Sequence, residues 1–185
     1  MLTRADTSGF ETAAFKAARN DAGQRYGVVT LHRPSNVDDA ANFARIGGAL
    51  REISNELPLI FPVHPRTRAN LEKFGIDLGP NITLAGPQAY MAFLNLWKDA
   101  AVVLTDSGGL QEETTALGVP CVTIRDETEW VETLEGGRNV LAGSDPARIV
   151  ACARAAGPAT PPVPGAAGAS PSERIAAVMT EKSWT

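Results

Sequence analysis

The residues with the clearest chemical potential lie at positions 104–113, which read LTDSGGLQEE. An apolar run at 101–104 leads into Ser107, Gly108 and Gly109, and a helix-like segment follows. The first N–H groups of a helix have no partner within the helix, and the helix dipole places partial positive charge there. Because glycine has no Cβ, a phosphate could approach the backbone closely at this turn. The junction therefore predicts an anion site, with a plain capped turn as the alternative.

Glu113 favours the anion interpretation because of its place on the predicted helix. It shares a stripe with Leu110, Thr114 and Leu117, so we expect it to lean towards the protein, where a carboxylate needs a partner or a ligand. Its distance from the helix start would let it accept hydrogen bonds from ribose hydroxyls while phosphates bind at the terminus. The alternative is a favourable interaction with the helix dipole, which Glu112 fits better.

Polar residues also follow the other predicted strands. Because the carboxyl ends of parallel strands meet at one edge of a sheet, these residues are expected to line one rim and to bind a polar, anionic ligand. His32, next to Arg33, suggests an acid–base or phosphate-contacting role rather than a purely structural histidine, and His64 has the same interpretation with less support. Simple solvent exposure is the alternative for any single loop. The segments are 32–36 (HRPSN), 64–66 (HPR), 86–88 (GPQ) and 125–129 (RDETE).

Strands alternate with helices along the chain. Apolar runs predict strands at 26–31, 59–63, 81–84, 101–105, 120–124 and 139–142. Amphipathic patterns predict helices at 10–20, 43–57, 66–74, 90–97, 108–117 and 146–156. This alternation predicts an α/β fold with a doubly wound, mostly parallel, Rossmann-like sheet. Ser35 or Asn36 is the expected cap of the second helix, with Asp38 and Asp39 in its first turn, and Asp145 is the expected cap of the last.

Composition limits the classes of function. The net charge of -4 argues against a nucleic-acid or anionic-membrane partner. No segment is apolar enough to span a membrane and the N-terminus does not resemble a secretory signal, so we expect a cytoplasmic protein. Cys121 and Cys152 are expected to be small buried hydrophobes, and with two well-separated histidines they form no metal-ligand pattern. The predicted organisation is a helical lead-in at 1–24, a Rossmann-like domain at 25–156, and a Pro/Ala/Gly-rich linker with a short helix at 157–185.

Five segments together resemble the signature blocks of the bacterial non-hydrolysing UDP-N-acetylglucosamine (UDP-GlcNAc) 2-epimerases. They occur in the family's order and spacing, and the resemblance runs from about 25 to 143 and weakly on to 175. That family is similar to the two-domain GT-B glycosyltransferases, and this chain resembles only the C-terminal half. The expected missing partner is therefore an N-terminal Rossmann half. The segments are 29–36 (VTLHRPSN), 63–65 (VHP), 87–93 (PQAYMAF), 106–113 (DSGGLQEE) and 125–129 (RDETE).

The resemblance implies interconversion of UDP-GlcNAc and UDP-ManNAc by elimination and re-addition of UDP, with no metal or redox cofactor. His32 would be the catalytic candidate of this half, near the reacting sugar and the leaving phosphate. The UDP contacts would come from Ser107, Gly108 and Gly109 at the diphosphate, Glu113 at the ribose, and Gln88 and Phe93 beside the uracil. Secondary candidates are Arg33, His64, Arg125, Glu129 and Trp130. Ser35 and Trp130 depart from the residues common in the family's blocks.

Two alternatives stay open: a stand-alone UDP-sugar-binding module without chemistry, and half of a GT-B glycosyltransferase. The epimerase resemblance implies that this chain alone lacks turnover, because the carboxylates implicated in removing the proton at C2 of the sugar belong to the family's other half. The surface that such a half would cover is also expected to allow self-association, including a homodimer.

Overall fold

A computed structural model describes residues 12, 14–16, 23–135 and 138–157 of the chain. Its six strands are β1 (Gly27–Thr30), β2 (Leu59–Pro62), β3 (Ile82–Ala85), β4 (Val102–Thr105), β5 (Cys121–Thr123) and β6 (Asn139–Leu141). They form one sheet in the order β3-β2-β1-β4-β5-β6, and every neighbouring pair runs parallel. Each predicted strand is present, although most are shorter than the apolar runs that predicted them.

Helices follow the strands at nearly the predicted positions. They are α1 (Pro34–Val37), α2 (Ala40–Ser54), α3 (Pro65–Phe74), α4 (Tyr90–Trp97), α5 (Gly108–Leu117) and α6 (Pro146–Ala155), and a 3-10 helix spans Val131–Leu134. The prediction of a helix at 10–20 agrees with the helical residues 12 and 14–16, and the rest of that segment lies outside the described residues. The predicted helix beyond the linker also lies outside them, so the proposed boundary at 157 stays a prediction.

Two apolar cores cover the two faces of the sheet. The larger one packs α2 and α6 against the strands through side chains such as Phe43, Leu50 and Ile149. The smaller one packs α4 and α5 through Trp97 and Leu110. A parallel sheet needs helices on both faces because its strands are apolar on both sides. The prediction of a doubly wound Rossmann-like sheet is therefore confirmed.

The cap predicted for the second helix was wrong. Residues 34–37 form the separate short helix α1, and α2 begins only at Ala40. Asp39 is its N-cap and accepts a hydrogen bond of 2.7 Å from the backbone N–H of Asn42. Pro34 explains the difference, because its fixed φ suits the first position of a helix and starts α1 early. The predicted cap of α6 is confirmed, since Asp145 accepts from the N–H of Ala147 at 3.0 Å.

The cysteines behave largely as expected. Cys121 is buried in β5, where burial raises the pKa of its thiol to about 11, and Cys152 is partly buried against the larger core. Within the part of the chain that the structure covers, no helix has the length and apolar character needed to cross a membrane.

Candidate functional site

The candidate site lies where the order of the strands reverses. β1 and β4 are neighbours in the middle of the sheet, yet the helices that follow them pack on opposite faces. The loops after these two strands separate at this point and leave a crevice, which is where open α/β sheets bind ligands. The loop after β1 carries His32 and Arg33, and the loop after β4 carries Asp106 and Ser107.

Asp106 holds the loop after β1 in place. It is 0% exposed. Its carboxylate accepts hydrogen bonds from the backbone N–H groups of His32 at 3.1 Å and Arg33 at 2.9 Å, and from the side-chain amide of Asn36 at 3.1 Å. Burial alone would raise the pKa of Asp106, but the hydrogen bonds from His32, Arg33 and Asn36 outweigh it and leave the pKa below its ordinary value. The site therefore rests on a buried, charged carboxylate.

The imidazole of His32 is paired with this carboxylate. Its Nδ1 lies 2.9 Å from Oδ1 of Asp106, and the side chain is 49% exposed. The hydrogen bond to Asp106 raises the pKa of His32, although partial burial and the nearby Arg33 act in the opposite direction. With Nδ1 donating to Asp106, Nε2 is left to interact with a ligand. A histidine in this position can carry positive charge nearer to neutral pH than an isolated imidazole.

We expect NMR titration to place the pKa of His32 above its ordinary 6.5, and Asp106→Asn to lower it. Because the folded-state pKa of His32 is raised, the stabilisation contributed by protonated His32 is fully present below 6.5 and is lost as pH rises through the raised value. The pKa of Asp106 is lowered, so its contribution is present above 3.8 and is lost as pH falls through the lowered value. An imidazole that titrates at or below 6.5 would contradict this pairing.

The N-terminus of α5 is partly open to solvent, because Ser107 and Gly108 are half-buried and Gly109 is exposed. Ser107 occupies the N-cap position, but its side chain makes no capping hydrogen bond. The backbone N–H of Ser107 donates to the hydroxyl of Thr105 at 2.9 Å, whereas among the described side chains none accepts from the amides of Gly108 and Gly109. Gly109 is exposed, and a Cβ built on it would meet no described heavy atom within 4 Å. An anion could therefore reach these main-chain amides directly.

Four of the secondary candidates gather beside Gly108. A Cβ on Gly108 would lie 2.6 Å from Oε1 of Glu129 and 3.2 Å from Nε1 of Trp130. The carboxylate of Glu129 contacts Nη1 of Arg125 at 2.7 Å and lies 3.8 Å from Nη2 of Arg33. The backbone N–H of Glu129 itself and the adjacent Arg125 guanidinium keep the pKa of Glu129 below its ordinary value. A polar cleft of about 420 Å³ adjoins this group and is lined partly by the same two arginines.

The remaining predicted residues make contacts outside this group. Gln88 is partly buried after β3, where its amide donates to the carbonyl of Gly86 at 3.0 Å. Phe93 packs against the smaller core. His64 acts as the N-cap of α3, and its Nδ1 accepts from the N–H of Arg66 at 3.3 Å. This capping role gives His64 a structural function, and its predicted contact with a ligand stays a prediction.

Glu113 is partly buried, and no described residue forms a hydrogen bond or ion pair with its carboxylate. The prediction that Glu113 shares a protein-facing side of the helix with three other residues is confirmed only in part. Leu110 and Thr114 are buried, but Leu117 is 46% exposed because α5 ends there, at the left-handed Gly118. Glu113, in the middle of α5, is therefore partly buried, whereas the C-terminal end of the helix is exposed. The carboxylate of Glu113 remains available to a ligand.

One family matches this chain over most of its length. The sequence model described as UDP-N-acetylglucosamine 2-epimerase matches residues 4–163 of the 185. The chain belongs to this family. The chain is 44% identical over 135 residues to a UDP-GlcNAc 2-epimerase of Methanococcus maripaludis. It is also 44% identical over 128 residues to a UDP-2,3-diacetamido-2,3-dideoxy-D-glucuronate 2-epimerase of Pseudomonas aeruginosa. These matches cover 70% and 69% of this chain.

Solved epimerase structures share the fold. The UDP-GlcNAc 2-epimerase of Methanocaldococcus jannaschii aligns with a TM-score of 0.76 and 34% identity over 95% of this chain and 50% of its own. A structure of that enzyme in complex with UDP-GlcNAc and UDP aligns with a TM-score of 0.71 and 32% identity, over 95% and 49%. The sequence matches to the Methanococcus maripaludis and Pseudomonas aeruginosa relatives cover only 37% and 36% of the lengths of those two proteins. This epimerase-family chain therefore spans between about a third and a half of such proteins. The prediction of a GT-B-like half is confirmed.

Two residues of the site in this epimerase-family chain had no role assigned from sequence. Asp106 stood in the quoted motif, and its place at the end of a central buried strand was the available signal. Gln111 is 0% exposed, although it lies in the first turns of a helix that begins at the surface. Its amide donates to the carbonyl of Ser107 at 3.1 Å, and its Oε1 accepts from the hydroxyl of Thr128 at 2.7 Å. Its role depends on a loop whose path the sequence does not specify.

Proposed function

We propose that this chain is the UDP-binding half of a UDP-GlcNAc 2-epimerase. The observation that carries the proposal is the uncapped start of α5 at the point where the strand order reverses, in a chain of this family. Unpaired helix amides and the helix dipole favour a phosphate there. The diphosphate would bind the amides of Gly108 and Gly109 and the hydroxyl of Ser107.

The nucleoside would lie along the same rim. Glu113 is placed to accept hydrogen bonds from the ribose, since its carboxylate has no described protein partner and lies within the first turns of α5. Gln88 and Phe93 would flank the uracil beyond it, near the end of β3. Arg33 and Arg125 offer positive charge beside the glycine turn, where they now contact Glu129.

The proposed chemistry is elimination of UDP from the nucleotide sugar, followed by re-addition after C2 has been reprotonated on the other face. This half would hold the departing UDP and stabilise its developing negative charge. His32 would contact the leaving phosphate or the sugar, and its pairing with Asp106 favours the protonated imidazole that an accumulating negative charge requires. The partners of the site would be UDP or UDP-GlcNAc and an N-terminal Rossmann half.

Calorimetry with UDP tests the binding part of the proposal. We expect the chain to bind UDP, and Glu113→Ala to weaken the affinity by about tenfold because a charged hydrogen-bond acceptor is lost. Ser107→Ala should weaken it as well. Glu112→Ala is the matched control, because Glu112 is the exposed neighbour on the same helix. Absence of binding at millimolar UDP would reject the proposal.

We expect the isolated 185-residue chain to catalyse no exchange of deuterium into C2 of UDP-GlcNAc in D2O. The described rim provides one paired acid–base group, His32 with Asp106, and the proposal assigns removal of the C2 proton to carboxylates of the other half. Exchange by the purified chain would contradict the assignment of C2 proton removal to the other half. Exchange that appears only on mixing with the N-terminal half of the Methanococcus maripaludis relative would favour an epimerase half over a stand-alone binding module.

A further inference from the structure

A buried polar network joins the start of α5 to the segment that carries Glu129 and Trp130. Gln111 is its centre, with bonds to the carbonyl of Ser107 and the hydroxyl of Thr128. Asn139, in β6, also donates to Oε1 of Gln111 at 3.1 Å. The network continues from Asn139 to Thr133 at 2.7 Å and to Thr123 at 2.6 Å. Gln111, Asn139, Thr133 and Thr123 are all at most 2% exposed.

This network fixes the path of residues 128–130. The hydroxyl of Thr128 donates to Gln111 and also accepts from the backbone N–H of Trp130 at 3.1 Å. The carbonyl of Trp130 accepts from the hydroxyl of Thr133 at 2.7 Å. Both ends of the Trp130 backbone are therefore tied to side chains of the network. Glu129, between Thr128 and Trp130, is held with its carboxylate beside Gly108.

A network of this kind fixes the positions of its side chains more than it stabilises the fold. Buried hydrogen bonds add little net free energy over apolar packing of similar volume, but a fully paired network has few alternative arrangements. Its members belong to α5, β5, β6, the 3-10 helix and the loop at Thr128, and through Thr128 and Thr133 they hold the segment that faces the glycine turn.

We propose that Gln111 and Thr128 are positioning residues of the anion site: they hold the indole N–H of Trp130 beside the Gly108–Gly109 main chain, where it can donate to a bound diphosphate, and thereby set the affinity for that ligand. The inference rests on the proposed function for its ligand. Its structural part, the placement of Trp130, does not depend on any ligand.

Thr128→Val tests the inference because valine keeps the shape of threonine and removes only the hydroxyl. We expect an affinity for UDP and for pyrophosphate weaker by about fivefold, from the loss of one to two neutral hydrogen bonds. Thr128→Ser keeps the hydroxyl and should restore wild-type affinity. Thr115→Val is the matched control, since the buried hydroxyl of Thr115, on the same helix, has no hydrogen-bond partner among the described residues.

Trp130 fluorescence gives the second measurement, in a Trp184→Phe background where Trp97, at 0% exposed, supplies a constant signal. Thr128→Val should red-shift the emission and increase quenching by acrylamide, whereas Thr128→Ser and Thr115→Val should do neither. A purely structural role would lower the melting temperature of Thr128→Val and leave its UDP affinity and emission at wild-type values, which would reject the inference. A wild-type chain that fails to bind UDP would reject the proposed function instead. In that case an unchanged emission of Thr128→Val would still overturn the inference, and a red shift would uphold the positioning of Trp130.

Discussion

Asp106→Ala is expected to lower the free energy of unfolding by about 3 kcal/mol, because each buried donor left without its acceptor costs about 1–3 kcal/mol. The substitution removes the shared acceptor of the His32 and Arg33 backbone amides and of the Asn36 side chain. Asn36 keeps one bond, at 2.9 Å to the carbonyl of Ile124, which limits the loss. Urea unfolding followed by circular dichroism measures the change.

Asp38→Ala is the control for this substitution. Asp38 pairs with Arg66 near the same rim, but both side chains are substantially exposed, and such pairs contribute about 0–1 kcal/mol. We expect the two variants to differ clearly in denaturation midpoint. If Asp106→Ala were no less stable than Asp38→Ala, then Asp106 would not organise the loop after β1, and the interpretation of His32 as a residue held by it would be wrong.

Gly109→Ala is expected to weaken UDP binding by at least about tenfold without lowering the stability of the chain. In the free protein a Cβ at this position meets open space, and alanine is favoured over glycine within a helix by up to about 1 kcal/mol. The methyl group would instead occupy the space through which the phosphate approaches the backbone. Calorimetry with UDP and a thermal melt separate the two effects.

Gly48→Ala provides the matched control for Gly109→Ala. Gly48 is also an exposed helical glycine, in α2, and a Cβ there likewise meets nothing within 4 Å among the described atoms. Both variants should melt at or above the wild-type temperature, and only Gly109→Ala should lose affinity. Equal affinities in the two variants would show that phosphates do not approach the Gly109 backbone.

Sequence reasoning predicted the sheet well because the strands are short, apolar and buried on both faces. Val28, Val29, Val103 and Leu104 are all 0% exposed, and short apolar runs between helical patterns are typical of parallel strands buried on both faces. The glycine turn was predictable for a similar local reason, since strand, turn and helix start are contiguous. The start of α2 was not, because Pro34 and Asp39 compete for it over six residues and the outcome depends on how the loop packs.

The pairings within the site depend on contacts between distant parts of the chain. The carboxylate of Asp106 acts on residues 74 positions earlier, and Gln111 acts on a segment 17 positions later. Neither relation has a periodicity or a motif in the sequence. His64 matched the rim pattern as a histidine at a strand end, and the structure adds a helix-capping role that its local sequence did not indicate, while its ligand role stays a prediction.

The two halves of the sheet join between β1 and β4, a seam that brings together residues 75 positions apart, such as Thr30 and Thr105. Closing so long a span of chain costs conformational entropy, and we expect this contact to form later in folding than local ones. A ligand bound by the loops on both sides of that seam would hold the two halves of the sheet together. Binding of that ligand should then protect the whole domain from proteolysis, and not only the loops that it contacts.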